Sequence, residues 1–424
     1  MESRRASPCS VQLLINFGYA LFSHGDNSWL HLIRSSPNQI ITSILKHDRK
    51  VNSYKIALVR AINDVALNFP DLAAAGQSVA VPLKLLAELW LAYYWPFADP
   101  EAPILQGAVS VRAGVIRNDF TFRPELTALR RQWDELQQTT ASPADGFVVL
   151  NEMRVPRRRA RCGPAVQIAY QKATRKALTA LEMPIRYAGP GGTTHSVFLP
   201  PRPLADLPDV VAVPGTEPAD KCLIVSAELW STFRTLSLWI EALCLHEWCL
   251  FTEGLDQSGS SPADRGDIYR LLTARPDNRR PLTWERNQVD LLLREGKVFR
   301  CPWTQRQIVL GTDYALDHLL PVSAYPINEL WNLVPSDPRF NSHDKRDRLP
   351  SLACLQQAEP HLVSTYDHYC TSATLQPAFR EDIHLRFVTA SPAHLVTAVI
   401  ARAVIDLLDQ FADLRSLDRF DNCR

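Results

Sequence analysis

The chain has 424 residues, a length that predicts roughly two or three domains, and 46% of its residues are hydrophobic, enough to form a core. Lys and Arg number 46 against 45 Asp and Glu, a net charge of +1, so any attraction for nucleic acid must be local. No segment has the uninterrupted apolar length of a membrane span, and nine cysteines without paired spacing indicate reduced thiols. We expect a cytoplasmic protein that makes no membrane contact.

Amphipathic periodicity predicts a helical N-terminal domain over residues 1–184. The predicted helices are residues 37–47, 52–68, 82–95, one within 117–138, and 164–183. Such a domain could be a scaffold that buries these faces, or a winged-helix module that binds DNA or a protein partner. The run Tyr93-Tyr94-Trp95 could pack in a core or stack on bases.

The most basic run in the chain has five arginines within the eight residues 154–161. Closely spaced arginines can contact successive phosphates of nucleic acid. We therefore predict that Arg157, Arg158 and Arg159 bind nucleic acid, with a solvated loop as the open alternative.

Residues 185–220 are rich in Gly and Pro and are predicted to be a linker. Residues 221–296 are predicted to be a helical support region, with a buried helix or a broken pair over 227–251 and a helix over 283–295. Cys244, His246 and Cys249 are close in sequence, but three ligands in an apolar helix favour core packing over zinc. Residues 353–424 form a predicted C-terminal helical region, with a helix over 393–414.

The segment 297–352 gathers the polar residues that are typical of a catalytic site. Asp317 and His318 end a predicted strand, Asn332 follows His318 by 14 residues, and Asn341 follows Asn332 by 9. Pro335 interrupts any helix between the two asparagines, and a short helix can start near Asn341.

The order DHLLP, ELWNLVP and FNSHDKRDRLPS resembles the HNH endonucleases, whose fold is the ββα-metal module. The spacing is especially similar to the HNH domain of CRISPR effector nucleases, and the long helical flanks around a compact nuclease resemble stand-alone bacterial HNH proteins of restriction or antiphage systems. The resemblance implies that His318 is the general base and that Asn332 orients it. It also implies that Asp317 and Asn341 hold the metal, with His343 as the alternative ligand.

Phosphodiester hydrolysis needs an activated water and a cation, and hard oxygen ligands suit one Mg²⁺ or Mn²⁺ ion. The nearby basic side chains Arg339, Lys345, Arg346 and Arg348 are predicted to contact phosphates. Thr304 stands where a CxxC zinc knuckle would have its second cysteine, so we expect no structural zinc and a core position for Cys301.

We expect an α+β, mainly helical protein in which an HNH module at 297–352 is embedded between helical flanking domains. The expected function is metal-dependent hydrolysis of DNA in bacterial restriction or antiphage defence, with a protein partner of a defence system. Two alternatives stay open: a nucleic-acid-binding component whose HNH-like module is structural, and a mobile-element homing nuclease.

Overall fold

A computed structural model describes ten ranges of the chain: 36–107, 110–112, 115–117, 119–137, 142–189, 194–255, 263–274, 282–322, 328–387 and 396–423. For residues 73–75, 110–112 and 115–117 it describes the backbone only. Residues 1–35, which fall in the predicted N-terminal domain, lie outside the described ranges. The described residues from Pro37 onward belong to one compact unit.

Most described residues lie in helices, so the predicted α+β, mainly helical class is confirmed. In chain order the helices are α1 (Pro37–Thr42), α2 (Tyr54–Asn68), α3 (Leu83–Tyr94), α4 (Arg123–Gln137), α5 (Asp145–Arg154), α6 (Pro156–Arg159), α7 (Pro164–Tyr187), α8 (Ala227–Thr235), α9 (Ser237–Glu253), α10 (Arg265–Thr273), α11 (Thr283–Arg294), α12 (Leu352–Thr371), α13 (Leu375–Arg386) and α14 (Thr397–Arg415). Two π-helical turns cover Ser43–His47 and Phe340–Lys345.

The strands are short. They are β1 (Ser78–Pro82), β2 (Ser110–Arg112), β3 (Val115–Arg117), β4 (Arg202–Pro203), β5 (Val210–Ala212), β6 (Lys221–Val225), β7 (Phe299–Arg300), β8 (Gln307–Ile308), β9 (Ala315–His318), β10 (Leu333–Ser336), β11 (Leu349–Pro350) and β12 (Arg419–Phe420). One sheet has the order β4-β6-β1-β5, in which β5 is parallel and β6 antiparallel to β1. Two strands of this sheet, β4 and β5, lie within the predicted linker 185–220.

The first hydrophobic core is built from residues between Ile41 and Leu272. Helices α2 and α3 lie at its centre and are buried on almost every face. Tyr93, Tyr94 and Trp95 are buried in this core. Of the two alternatives for that run, the structure agrees with core packing and not with base stacking. The segment 227–251 is the broken pair α8 and α9, and its Cys244 and Cys249 are buried.

The second hydrophobic core is built from residues between Val289 and Phe420. It contains the strands of the 297–352 segment, packed against α11, α12, α13 and α14. Cys301 lies in this core, as the sequence predicts. The antiparallel pair β9–β10 and the π-helical turn Phe340–Lys345 are therefore held from several sides by apolar packing.

One disulfide corrects the expectation of reduced thiols. Cys354 at the start of α12 is bonded to Cys423, with their Cα atoms 5.6 Å apart. The two cysteines are 69 positions apart in sequence, and the pairing of β11 with β12 brings their parts of the chain together. Spacing along the chain cannot reveal such a pair.

Among the described residues, no helix has both the length and the apolar character needed to cross a membrane.

Candidate active site

The antiparallel strands β9 and β10, followed by the π-helical turn, position most of the predicted site residues. In their register His318 lies opposite Leu333 and Asp317 opposite Val334. Asn332 immediately precedes β10, and Asn341 lies on the turn that follows it. Residues that are 24 positions apart in sequence thus come from three adjacent elements, in the order strand, strand and helical turn.

Asp317 is a buried carboxylate, 3% exposed, with a hydrogen bond on each oxygen. Its Oδ1 accepts from Nζ of Lys345 at 2.9 Å, and its Oδ2 accepts from the indole of Trp303 at 3.1 Å. Lys345 also donates to the carbonyl of His318 at 2.7 Å. A buried carboxylate requires such compensation, because removing its charge from water is costly.

Lys345 was predicted to contact phosphates, but it is only 1% exposed. Its ammonium group donates hydrogen bonds inside the module, to the carboxylate of Asp317 and to the backbone of β9. The structure therefore gives Lys345 internal partners in place of the predicted phosphates.

His318 is partly buried and lies at the end of β9. Its Nε2 is 2.8 Å from Oδ1 of Asn328, a residue that is 6% exposed. The sequence reasoning did not select Asn328. Its only signal is a polar residue directly before the apolar ELWNLVP segment, and this signal is too weak to identify it.

Asn332 is fully buried, and its side-chain amide forms hydrogen bonds with the backbone two residues after His318. Its Oδ1 accepts from the amide of Leu320 at 2.7 Å, and its Nδ2 donates to the carbonyl of Leu320 at 3.2 Å. Its own carbonyl accepts from the amide of Leu319 at 2.8 Å. These contacts fix the path of the chain that leaves His318, so Asn332 acts on the histidine through the backbone.

The π-helical turn presents Asn341 and His343 differently. The Arg346 amide donates to the Asn341 carbonyl at 3.0 Å, a bond that spans five residues and defines the turn as π-helical. The Asn341 side chain makes no hydrogen bond to any residue that the structure describes. Positions four apart share a helix face, so Asn341 shares the face of Lys345. His343 is exposed, and its Nδ1 lies 3.2 Å from the carbonyl of Arg339.

The predicted metal ligands are one carboxylate and one amide, those of Asp317 and Asn341. Within the described ranges, no group of three or more His, Cys, Asp or Glu side chains could hold a metal ion. Asp317 retains a second lone pair on each oxygen, and Asn341 offers an unpartnered amide. One carboxylate and one amide oxygen suit Mg²⁺, which is commonly completed by water and by substrate phosphate.

Exposed basic residues lie around the turn. Arg339 and Arg346 are exposed, whereas Arg348 is partly buried and donates to the carbonyl of Asp344. A cavity of about 710 Å³ adjoins the turn. Its lining residues include Arg306, Arg339, Asp337 and Asp344. Of the predicted phosphate contacts in this segment, Arg339 and Arg346 are the two on the surface.

The arginine run is not a solvated loop, because Arg157 and Arg158 contact buried groups elsewhere in the chain. Arg157 donates to both carboxylate oxygens of Asp382, at 2.7 and 2.8 Å, and also to Glu381. Arg158 is buried and donates to the backbone carbonyl of Asn328. Arg159 donates to the carbonyl of Met153 at 3.4 Å. Arg157 and Arg158 thus have internal partners in the second core in place of the predicted phosphates.

A buried acidic pair accompanies these arginines. Asp382 is 0% exposed and also accepts from the amide of Leu330 at 2.8 Å. Glu329 is 5% exposed and accepts from the indole of Trp331. Burial, with the nearby charge of Asp382, raises the pKa of Glu329 to about 7.

The chain is a mainly helical α+β protein whose candidate site lies in the second core. A family model matches residues 34–272, more than half of the chain, and the chain belongs to that family, described as a domain of unknown function (DUF8808). The match covers the first core, so the candidate site lies outside it. Comparison with curated proteins and with solved structures found no significant match.

Proposed function

We propose that the protein is a metal-dependent endonuclease of the HNH type that hydrolyses phosphodiester bonds in DNA. The observation that carries the proposal is His318 at the end of β9, held by a side-chain hydrogen bond and adjacent to the buried carboxylate of Asp317. The paired strands and the helical turn that follows them support the ββα reading of the sequence.

In the proposed reaction, His318 removes a proton from the attacking water. Imidazole suits this step because its ordinary pKa of about 6.5 lies close to neutral pH. Asn332 keeps the chain after His318 in place through its two hydrogen bonds to Leu320. Asp317 and Asn341 would hold one Mg²⁺ or Mn²⁺ ion, which would supply the positive charge that stabilises the phosphorane-like transition state.

The exposed guanidinium groups of Arg339 and Arg346 are the proposed phosphate contacts beside the cut. Arginine suits this role because its planar group can form two parallel hydrogen bonds to one phosphate. We also propose the cytoplasm as the location and bacterial restriction or antiphage defence as the setting. The defence setting rests on the resemblance of the 297–352 segment alone.

One observation favours a second candidate, a DNA-binding component with a structural HNH-like module. The ammonium group of Lys345 already balances the charge of Asp317, which is the role that a metal would share. A module of this kind could keep its fold with no ion and no cleavage activity.

Incubation of the purified protein with supercoiled plasmid in Mg²⁺ or Mn²⁺, with and without chelator, tests the proposal. We expect nicked or linear product that disappears with chelator and with the variant His318→Ala. The matched control is His384→Ala, which removes an exposed histidine on α13 and should leave cleavage unchanged. Binding of DNA without any cleavage would favour the structural module. Equal cleavage by His318→Ala and the parent would exclude His318 as the base.

A further inference from the structure

We propose that Asn328 is a positioning residue for His318, and that Arg158 of the family region holds Asn328 in place. The candidate site would then be completed across the two cores rather than inside the 297–352 segment alone. This inference rests on the proposed nuclease function for its kinetic consequences, but its structural part can be tested without any activity.

The contact between Asn328 and His318 selects one form of the histidine ring. The amide oxygen Oδ1 of Asn328 can only accept a hydrogen bond, so Nε2 of His318, 2.8 Å away, must carry a proton. A neutral imidazole that is protonated at Nε2 has its lone pair at Nδ1, which is the nitrogen that can take a proton. Asn328 thereby determines which atom of His318 acts as the base.

Arg158 holds the backbone of Asn328. It lies on α6 in the first core, is 5% exposed, and donates from Nη2 to the carbonyl of Asn328. Its charge is balanced by Glu285 on α11, with the two groups 4.0 Å apart. A buried guanidinium with these two partners is fixed in position, and it therefore fixes the residue that it contacts.

The neighbouring Arg157 holds the same segment from its other end. It binds Asp382 with two hydrogen bonds, and Asp382 in turn accepts from the amide of Leu330, two residues after Asn328. Two consecutive arginines of one core thus secure residues 328–330 of the other. The function of Arg157 and Arg158 is then to position the histidine, which explains their internal contacts.

The test uses the full-length protein labelled with ¹⁵N-histidine. The ring resonances of His318 are identified by their absence in His318→Ala, and their shifts report which nitrogen carries the proton. We expect the Nε2–H form in the parent and in Asn328→Asp, which keeps an acceptor. We expect a mixture of both forms in Asn328→Ala and in Arg158→Ala. The control Arg161→Ala removes an exposed arginine of the same run and should resemble the parent.

The kinetic arm measures nicking rates for the same variants. Loss of a positioning contact should lower kcat by roughly 10- to 100-fold with little change in KM, and Asn328→Asp should recover part of it. A protein that never cleaves DNA would refute the nuclease proposal, while the ring resonances would still test the positioning. Retention of the Nε2–H form in both Asn328→Ala and Arg158→Ala would overturn the inference. Normal kcat in Asn328→Ala, in a protein that cleaves, would also overturn it.

Discussion

Lys345 is the residue whose observed role differs most from its predicted one. Its ammonium group compensates the charge of Asp317 inside the second core, where both side chains are at most 3% exposed. A buried ion pair of this kind often contributes little beyond an apolar pair, but removal of one partner leaves a charge without compensation.

Lys345→Met should therefore lower the free energy of unfolding by about 3–5 kcal/mol, because Asp317 loses its charge partner. Urea unfolding measures the loss. The control Lys176→Met removes an exposed lysine on α7 and should change the stability little. The double variant Asp317→Asn with Lys345→Met should recover much of the loss. Equal stability of Lys345→Met and Lys176→Met would show that the ion pair does not stabilise the fold.

Glu329 gives the candidate site a pH-dependent stability. Its pKa is about 7 in the folded protein, raised by burial and by the charge of Asp382, from an ordinary value of 4.5. The folded protein therefore retains this proton more strongly than the unfolded chain. Its contribution to stability is full below pH 4.5 and is lost as the pH rises through about 7.

Glu329→Gln should remove this dependence, because the amide cannot ionise. The free energy of unfolding of the variant relative to the parent should rise between pH 5.5 and pH 8 by roughly 2 kcal/mol, the part of the full shift that falls between these two pH values. Urea unfolding of both proteins at the two pH values measures the difference. A difference that does not change with pH would mean that Glu329 titrates normally.

At the scale of elements, the π-helical turn Phe340–Lys345 ends in a strained residue. Arg346 has φ 51° and ψ −124°, a backbone conformation that suits glycine. Such a conformation costs a non-glycine residue about 1–3 kcal/mol and is commonly retained where function requires it. The exposed guanidinium of Arg346 is one of the two proposed phosphate contacts, which offers such a reason.

Arg346→Gly should raise the free energy of unfolding by about 1 kcal/mol and weaken DNA binding. The matched control is Arg348→Gly, because Arg348 does not have a positive φ and glycine should there destabilise the fold. Thermal unfolding and DNA binding at fixed salt provide the two measurements. If Arg346→Gly is less stable than the parent, the strain is absent. If it binds DNA normally, Arg346 does not contact phosphate.

The elements with strong periodicity could be predicted from the sequence. The helices α2, α3, α4, α7, α11 and α14 agree closely with the predicted ranges, and the predicted strand before His318 is β9. The sheet β4-β6-β1-β5 was missed because its strands are short and two lie in the Gly- and Pro-rich segment 185–220. The partners of Asp317, Arg157 and Cys354 were missed for another reason. Each is set by contacts between distant parts of the chain, which leave no local pattern.

At the scale of the whole molecule, buried charges connect the two hydrophobic cores. Arg157 and Arg158 reach from the first core to Asp382 and Asn328 in the second. In the opposite direction, Arg386 of α13 is 1% exposed and binds Asp71 near the first core at 3.2 Å. Because charged groups between cores need specific partners, these contacts determine how the family region and the candidate site are arranged.

Arg157→Ala distinguishes this structural role from the phosphate contact that the sequence predicts. The variant leaves Asp382 fully buried without its charge partner, so the free energy of unfolding should fall by about 3 kcal/mol. The salt dependence of DNA binding should stay the same, because no phosphate contact is removed. Arg161→Ala, which removes an exposed arginine four residues later, is the control for stability. A lost phosphate contact would instead reduce the slope of log K against log salt by about 0.9. That smaller slope, with stability unchanged, would show that Arg157 contacts DNA and does not stabilise the fold.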